Sequence, residues 1–268
     1  MKPMIRQNLK GGYALITGGS SGIGLEFARQ LAAQDINIII IGRNSKKLAS
    51  ASSEIKNNYD VSVQSLSIDL AKSGASQKVF NKFPEIDILI NNAGYGIPKM
   101  ISNCNIKQES EIINLNCIAP MQLSALYLPQ MIHKKFGCLI FVASVMAFSG
   151  VPYMANYSST KAYLLSLGEG IHTETKKQGV VVQVLCPGPT DTPGASLHVV
   201  DYSKMPVLHM TSQEVVRFSL SRLGSGLIQI PGCQNKLISS VMRCELLKSI
   251  SSKMIEKIAR NALTKIKL

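Results

Sequence analysis

The sequence predicts an α/β protein in which helices cover both faces of one parallel sheet of about seven strands. Apolar segments alternate with segments of helical periodicity along the chain, and several of the apolar segments are continuous, as in strands buried on both faces. The 268 residues, 46% hydrophobic and 17% charged, fit one sizeable core. This composition excludes disordered and collagen-like chains, and no apolar run approaches the roughly 20 residues of a membrane span.

Seven strands and six helices are predicted in order. The strands are residues 13–17, 36–42, 61–68, 86–91, 138–143, 180–185 and 227–230. The helices are residues 22–33, 45–57, 72–82, 105–134, 155–178 and 212–223, and Thr211 with Glu214 has the capping-box spacing that starts the last of them. Such alternation is typical of a doubly wound sheet with right-handed crossovers.

The net charge of +13 is concentrated at the end of the chain. Residues 236–268 carry +6 of it, and their apolar residues recur at spacings of three and four. We therefore divide the chain into a single domain of residues 1–235 and a basic amphipathic helical tail of residues 236–268. The tail is expected to lie on an anionic membrane surface, or else to close a pocket or pack across a subunit interface. Because the tail has no aromatic residue, nucleic-acid binding is not expected.

Cysteine and histidine spacing predicts no metal site. The six cysteines contain no C-x-x-C pair, and the four histidines have no ligand spacing. The cysteines are expected to be buried thiols in a reducing compartment. The first fourteen residues contain no signal-peptide-like stretch, so a cytoplasmic protein is predicted.

A glycine-rich turn follows the first predicted strand and precedes a predicted helix. Residues 17–24 read Thr-Gly-Gly-Ser-Ser-Gly-Ile-Gly, with the spacing G-x-x-x-G-x-G. Glycine lets the backbone turn tightly and approach a pyrophosphate, whose charge then lies at a helix N-terminus. A dinucleotide-binding turn is predicted here.

The end of the second strand indicates which dinucleotide is bound. An acidic residue about 20 positions after the glycines usually holds the ribose 2′-hydroxyl. Here the strand ends in Gly42-Arg43-Asn44. Arginine can pair with a 2′-phosphate, so NADP(H) is favoured over NAD(H), unless Arg43 is only a solvated loop cation.

These motifs and others resemble the short-chain dehydrogenase/reductase family, and its short-subunit branch in particular. Beyond residues 17–24, the resemblance is carried by Asn91-Asn92-Ala93-Gly94, Tyr157-x-x-x-Lys161, Asp69, Asn116, Ser144 and Pro187-Gly188. The matching pieces lie in the family's order over roughly residues 10 to 230. The resemblance implies a Rossmann-like fold and an NAD(P)-dependent oxidoreductase acting on C=O or CH–OH. It also implies a homodimer or homotetramer formed through the helices at 105–134 and 155–178.

The pattern Y-x-x-x-K occurs twice, at Tyr95 and at Tyr157. A catalytic Tyr–Lys pair must project from one helix face, and Gly96 with Pro98 disfavours a helix at the first site. Tyr157 and Lys161 lie in a segment of helical periodicity and are the predicted pair. A free tyrosine has a pKa of about 10, and a lysine cation one turn away would lower that pKa towards neutrality.

The resemblance assigns the remaining roles. Asn116, Ser144, Tyr157 and Lys161 are the implied catalytic set, with Ser144 bonded to the substrate oxygen and Asn116 supporting a proton relay. Lys161 would also hold the nicotinamide ribose, and Asp69 would accept a hydrogen bond from the adenine. The implied cofactor-binding residues are Gly18, Ser20, Ser21, Gly22, Ile23, Gly24, Arg43, Asp69, Leu70, Asn92, Ala93, Gly94, Tyr157, Lys161, Pro187, Gly188, Thr190 and Thr192.

The function predicted on this basis is NADPH-dependent, reversible reduction of a carbonyl to an alcohol on a small-molecule substrate. Residues 193–210 are rich in apolar side chains where the family keeps a substrate lid, which favours an apolar substrate unless these side chains only pack against the domain. Resemblance is greatest to 3-oxoacyl and hydroxysteroid-type members and to bacterial reductases. The alternative is a non-catalytic NADP(H)-binding sensor or scaffold, whose mark would be loss of Ser144, Tyr157 or Lys161.

Overall fold

The computed structural model describes residues 9–192, 209–244 and 256–257, and its centre is one parallel sheet of seven strands. The strands are β1 Tyr13–Thr17, β2 Asn37–Gly42, β3 Val63–Ser67, β4 Ile88–Asn91, β5 Gly137–Val142, β6 Val180–Leu185 and β9 Ile228–Gln229, in the order β3-β2-β1-β4-β5-β6-β9. Two short strands, β7 Thr190–Asp191 and β8 Met210–Thr211, pair separately. The predicted fold class and all seven predicted sheet strands are confirmed.

Eight helices accompany the strands in the described residues. They are α1 Gly22–Ala32, α2 Ser45–Asn58, α3 Ala75–Lys82, α4 Ile106–Ile113, α5 Ala119–His133, α6 Ala155–Thr175, α7 Ser212–Ser221 and α8 Cys233–Arg243. Two 3-10 turns, Ile101–Asn103 and Val145–Phe148, lie between them. The capping box that was predicted from Thr211 and Glu214 is present at the start of α7.

Residues 105–134 do not form the single regular helix that the sequence predicts. α4 and α5 are joined by a π-helical turn, Asn114–Ile118, which inserts an extra residue into the helical repeat. The apolar periodicity survives such an insertion, so a pattern-based prediction passes over it. The turn buries Leu115, Asn116 and Cys117 together.

Two apolar layers form the core, one on each face of the sheet. One layer contains Ile16, Ile38 and Ile90, and the other contains Leu15 and Ile39. Alternate residues of the same strands thus enter opposite layers, which is why these strands read as continuous apolar runs. Both faces of the sheet are therefore packed, and the loops at the carboxyl ends of the strands start from this packed core.

The predicted tail begins inside an element that packs on the domain. α8 crosses the 235/236 boundary, with Asn235, Ser239 and Met242 buried. Residues 245–255 and 258–268 of the predicted tail lie outside the described residues. Within the ranges that the structure describes, no helix is both long and apolar enough to cross a membrane.

Close packing of α6 on β6 yields a test of the fold. A Cβ on Gly168 would collide with Val184 Cγ2, whereas a Cβ on Gly170 meets no atom within 4 Å. We expect Gly168→Ala to lower the free energy of unfolding by about 1–3 kcal/mol through overpacking. Gly170→Ala on the same helix should raise it by up to about 1 kcal/mol through helix propensity. Urea denaturation of both variants measures this, and equal effects would contradict the packing account.

Candidate active site

The glycine-rich turn joins β1 to α1 in a conformation that needs glycine. Gly18 and Gly22 have φ angles of +66° and +54°, in the left-handed region. A Cβ on Gly24 would collide with the Gly18 carbonyl oxygen and lie 2.5 Å from Asn92 Nδ2. The turn leads into the N-terminus of an eleven-residue helix, whose first N–H groups can bind a pyrophosphate.

Asn92 and Thr17 clamp this turn to the end of β4. Asn92 Nδ2 donates to the Thr17 carbonyl oxygen at 2.9 Å, and Thr17 Oγ1 accepts from the N–H groups of Asn92 and Ala93 at 3.0 Å each. Asn91 instead points into the fold, where its Nδ2 donates to Ser124 Oγ at 3.3 Å. The predicted cofactor residues Asn92 and Ala93 thus lie beside Gly18, since a Cβ added to Gly18 would be 3.0 Å from the Ala93 Cα.

Arg43 and Asp69 follow β2 and β3 at the same edge of the sheet. Arg43 is exposed, and its Cζ lies 5.8 Å from the centroid of the Tyr95 ring. Burial raises the pKa of Tyr95, while the Arg43 cation opposes the rise. Asp69 Oδ1 accepts from the Ala71 N–H at 3.0 Å, next to buried Leu70. An arginine and a carboxylate therefore follow the two strands next to β1, at the edge of the sheet where the glycine turn lies.

Tyr157 and Lys161 both project from the first turns of α6. The Lys161 side chain is buried, its Nζ donates to the Val142 carbonyl oxygen at 2.8 Å, and it lies 5.5 Å from the centroid of the Tyr157 ring. Burial lowers the pKa of Lys161 to about 8. The arrangement holds a cation in a dry setting next to a phenol, where its field on the phenol is strong.

Asn116 lies opposite this pair, turned inward by the π-helical turn. It is fully buried, donates from Nδ2 to the Tyr95 carbonyl oxygen and to Thr160 Oγ1 at 3.0 Å each, and accepts from the Tyr95 N–H at 3.2 Å. A Cβ on Gly94 would lie 2.9 Å from Asn116 Oδ1 and 3.4 Å from Lys161 Nζ. Asn116 and Lys161 therefore face the same point of the loop after β4.

Ser144 enters from the end of β5. It is 9% exposed, and its Oγ accepts from the Met146 N–H at 3.1 Å, which caps the 3-10 turn Val145–Phe148. α6 packs against this turn. The structure thus brings Ser144, Asn116, Tyr157 and Lys161 to one place from three separate segments.

The segment after β6 lies beside the Ser144 turn. The Pro187 carbonyl oxygen accepts from the Val145 N–H at 3.0 Å, and Thr190 Oγ1 donates to the Gly188 carbonyl oxygen at 2.9 Å. Thr192 ends this described range. Residues 193–208, which hold most of the predicted apolar lid, lie outside the described residues.

Sequence reasoning missed three residues that shape the site. A Cβ on Gly96 would lie 2.6 Å from Tyr157 Cγ, so the rejected Tyr95–Lys99 segment supplies the glycine against which the tyrosine ring rests. Thr160 bonds Asn116, as described above. Asn235 of α8 lies directly against Gly188, where a Cβ would collide with its amide. The glycine at position 188 was the only sequence signal of this close approach, and its partner Asn235 could not be predicted from the sequence.

Metal chemistry has no support in the described part of the chain. Over residues 9–192, 209–244 and 256–257, no group of three or more His, Cys, Asp or Glu side chains is placed to hold an ion. The site consists of hydroxyl, amide and ammonium groups with an open glycine turn. This donor set fits a dinucleotide and a polar group of an organic substrate.

The chain matches a family of known proteins over most of its length. Residues 12–199 match the family model described as short chain dehydrogenase. The very-long-chain 3-oxoacyl-CoA reductase of Phaeosphaeria nodorum is 32% identical over 242 residues, which are 86% of this chain and 67% of that protein. The uncharacterized oxidoreductase YvaG of Bacillus subtilis is 32% identical, covering 84% of this chain and 85% of that one.

Solved structures show the same likeness. A short-chain dehydrogenase from Sphingobium yanoikuyae in complex with NADPH superposes with a TM-score of 0.78 at 28% identity, covering 83% of this chain and 88% of that one. The chain spans between about half and two thirds of the length of the first very-long-chain 3-oxoacyl-CoA reductases that it matches.

Burial of Lys161 predicts a pH-dependent stability. Its pKa falls from an ordinary value of 10.5 to about 8 in the fold, so between these values the unfolded chain binds more protons than the folded one. The wild type should therefore gain thermal stability relative to Lys161→Met as pH rises from about 8 to about 10. Melting curves without cofactor measure this, with Lys177→Met as the matched exposed-lysine control. A difference in melting temperature that stays flat across the window would refute it.

Proposed function

The chain belongs to the short-chain dehydrogenase/reductase family, and on that premise we propose that it catalyses the reversible, NADPH-dependent reduction of a carbonyl to an alcohol. The observation that carries the proposal is the convergence of Ser144, Tyr157, Lys161 and Asn116 at the carboxyl edge of the sheet, above a glycine turn that is open to a pyrophosphate. All four residue types are those that such a reaction needs.

Each side chain has one task in the proposed reaction. A nicotinamide dinucleotide held by the glycine turn would supply the hydride for the carbonyl carbon. Ser144 Oγ donates a hydrogen bond to the carbonyl oxygen, and the Tyr157 hydroxyl delivers the proton that this oxygen requires. The Lys161 cation, held by the Val142 carbonyl, stabilises the phenolate that remains. Asn116 fixes the Tyr95 backbone beside it, and a water relay from Lys161 along Asn116 returns the proton.

The cofactor preference rests on Arg43. Its exposed guanidinium follows β2, where a ribose 2′-substituent would lie, and no acidic residue stands in its place to bond a 2′-hydroxyl. Arginine binds a phosphate through paired hydrogen bonds. The NADPH complex of the Sphingobium relative supports the same choice.

An apolar carbonyl compound is the proposed substrate class. The apolar residues of segment 193–210 and the names of the very-long-chain 3-oxoacyl-CoA reductases among the relatives support it. A 3-oxoacyl thioester combines a reducible ketone with an apolar chain and is therefore included among the compounds to test.

The rival proposal is an NADP(H)-binding sensor or scaffold without turnover. Ser144, Tyr157 and Lys161 are all present and lie together, which disfavours it. The two proposals separate on whether bound NADPH is consumed in the presence of a carbonyl.

Self-association through α4, α5 and α6 is proposed on their exposed apolar side chains. Ile113 of α4, Ile118 of the π-helical turn and Tyr163 of α6 are 42%, 38% and 38% exposed, respectively. Such exposed apolar groups favour burial against a second copy. Light scattering of the purified chain measures the resulting mass.

Contact of the tail with an anionic membrane stays a proposal drawn from its sequence. The charge of residues 236–268 would attract acidic headgroups. Co-sedimentation of the full chain with anionic and with neutral vesicles tests it, and equal pelleting would contradict it.

The reductase activity is tested with a carbonyl panel and the Tyr157→Phe variant. The panel contains 4-formylbenzoate, its methyl ester, apolar ketones, steroid ketones and 3-oxoacyl thioesters, and NADPH oxidation is followed by absorbance. We expect turnover that falls at least about a hundredfold in Tyr157→Phe, because the proton donor is lost. The dissociation constant for NADPH should change little. Tight NADPH binding with no turnover of any panel member would favour the sensor.

The role of Arg43 is tested with Arg43→Ala. The ratio of kcat/KM for NADPH to that for NADH should fall about tenfold or more, because a charge-assisted pair with the 2′-phosphate is lost. Lys46→Ala, which removes an exposed cation three residues further along the chain, is the control. An unchanged ratio in Arg43→Ala would identify Arg43 as a solvated cation.

A further inference from the structure

The C-terminal end of α8 places an arginine beside the catalytic serine's turn. Arg243 Cζ lies 3.9 Å from the centroid of the Phe148 ring, so the guanidinium stacks on the ring. Phe148 ends the 3-10 turn that Ser144 caps. A cation and an aromatic ring therefore form one composite surface on the turn that Ser144 caps.

α8 holds Arg243 in this position through buried contacts along its length. At its start, Asn235 is 3% exposed, donates from Nδ2 to the Pro231 carbonyl oxygen at 2.8 Å, and lies against Gly188. Near its end, Met242 is 5% exposed. The helix is thus fixed to the segment after β6 and to the Ser144 turn, and Arg243 is positioned by both.

The Arg243 cation interacts electrostatically with the buried thiol of Cys186. Burial raises the pKa of Cys186, directly after β6, to about 12, and the cations of Arg243 and Lys161 oppose this rise, whereas Glu169 adds to it. In the described portion of the chain, no carboxylate lies within ion-pair distance of the Arg243 guanidinium. Among the described residues the guanidinium thus has no carboxylate partner, and its face rests on Phe148.

We infer that Arg243 is a specificity-determining residue that binds an anionic group, a carboxylate or a phosphate, on the carbonyl substrate. The inference rests on the proposed function and deepens it, since the substrate becomes an amphiphile with an apolar body and one anionic end. The apolar part would lie along the turn between Ser144 and Phe148, and the guanidinium would receive the anion.

The test compares two pairs of substrates, in each of which only one member carries an anionic group. For 4-formylbenzoate, we expect Arg243→Met to lower kcat/KM about tenfold to a hundredfold, because a charge-assisted hydrogen bond is lost. For its methyl ester, the change should stay within about twofold. Acetoacetyl-coenzyme A and the acetoacetyl thioester of N-acetylcysteamine form a second pair, in which only the first carries phosphates. Selective loss in the first pair identifies a carboxylate site, and selective loss in the second identifies a phosphate site.

Arg222→Met is the matched control, since Arg222 is also exposed and its Cζ lies 6.0 Å from an aromatic ring, that of Phe218 on α7. Arg222→Met should leave kcat/KM unchanged for all four substrates. The dissociation constant for NADPH should be the same in all variants. Equal losses on the charged and neutral members of both pairs, or no loss on any, would overturn the inference alone. Absence of turnover of all four compounds by the wild type would overturn the proposed reduction of such carbonyls together with the inference.

Discussion

The site depends on one buried cation. Lys161 Nζ is held inside the protein by a hydrogen bond to the Val142 carbonyl oxygen, although burial lowers the pKa of this lysine to about 8. Removing a cation from water is costly, and the fold offsets that cost only partly with this one carbonyl. Such a cation is of use where a nearby group must carry negative charge, and the Tyr157 ring lies 5.5 Å from it. The packing of α6 on β5 and β6 serves to hold this pair in place.

Hydrophobic patterning was enough to predict the sheet but not the path of the chain through the site. Strands such as β2, with four consecutive isoleucines, are recognisable because both faces are buried. The π-helical turn at Asn116 was not predicted, because an inserted residue leaves the apolar periodicity of residues 105–134 nearly intact. The family resemblance singled out Asn116, while its bonds to Tyr95 and Thr160 join residues 21 and 44 positions away, which no local pattern encodes.

The same reason explains the rejected Tyr95–Lys99 motif and the division at residue 235. Helix propensity correctly placed Tyr95 outside a catalytic helix, yet Gly96 is needed there because the Tyr157 ring occupies the space of its Cβ. Charge and periodicity suggested a separate tail from residue 236, yet Asn235 and Met242 pack on the domain as parts of one helix. Composition and periodicity predict the local character of a segment, but they do not predict the long-range contacts that it makes.

The strand order determines where the charged groups lie along the carboxyl edge of the sheet. In the order β3-β2-β1-β4-β5-β6-β9, Arg43 follows the second strand, the glycine turn follows the third, and α8 with Arg243 follows the last. The carboxyl edge therefore presents Arg43 after β2, helix N-terminal N–H groups after β1, Lys161 against the end of β5, and Arg243 against the turn after β5, where it stacks on Phe148. A dinucleotide uses the first part of such an edge with its own phosphates. Arg243 stacks on Phe148 of the turn that Ser144 caps, so in the proposed arrangement it faces the substrate that enters beside Ser144.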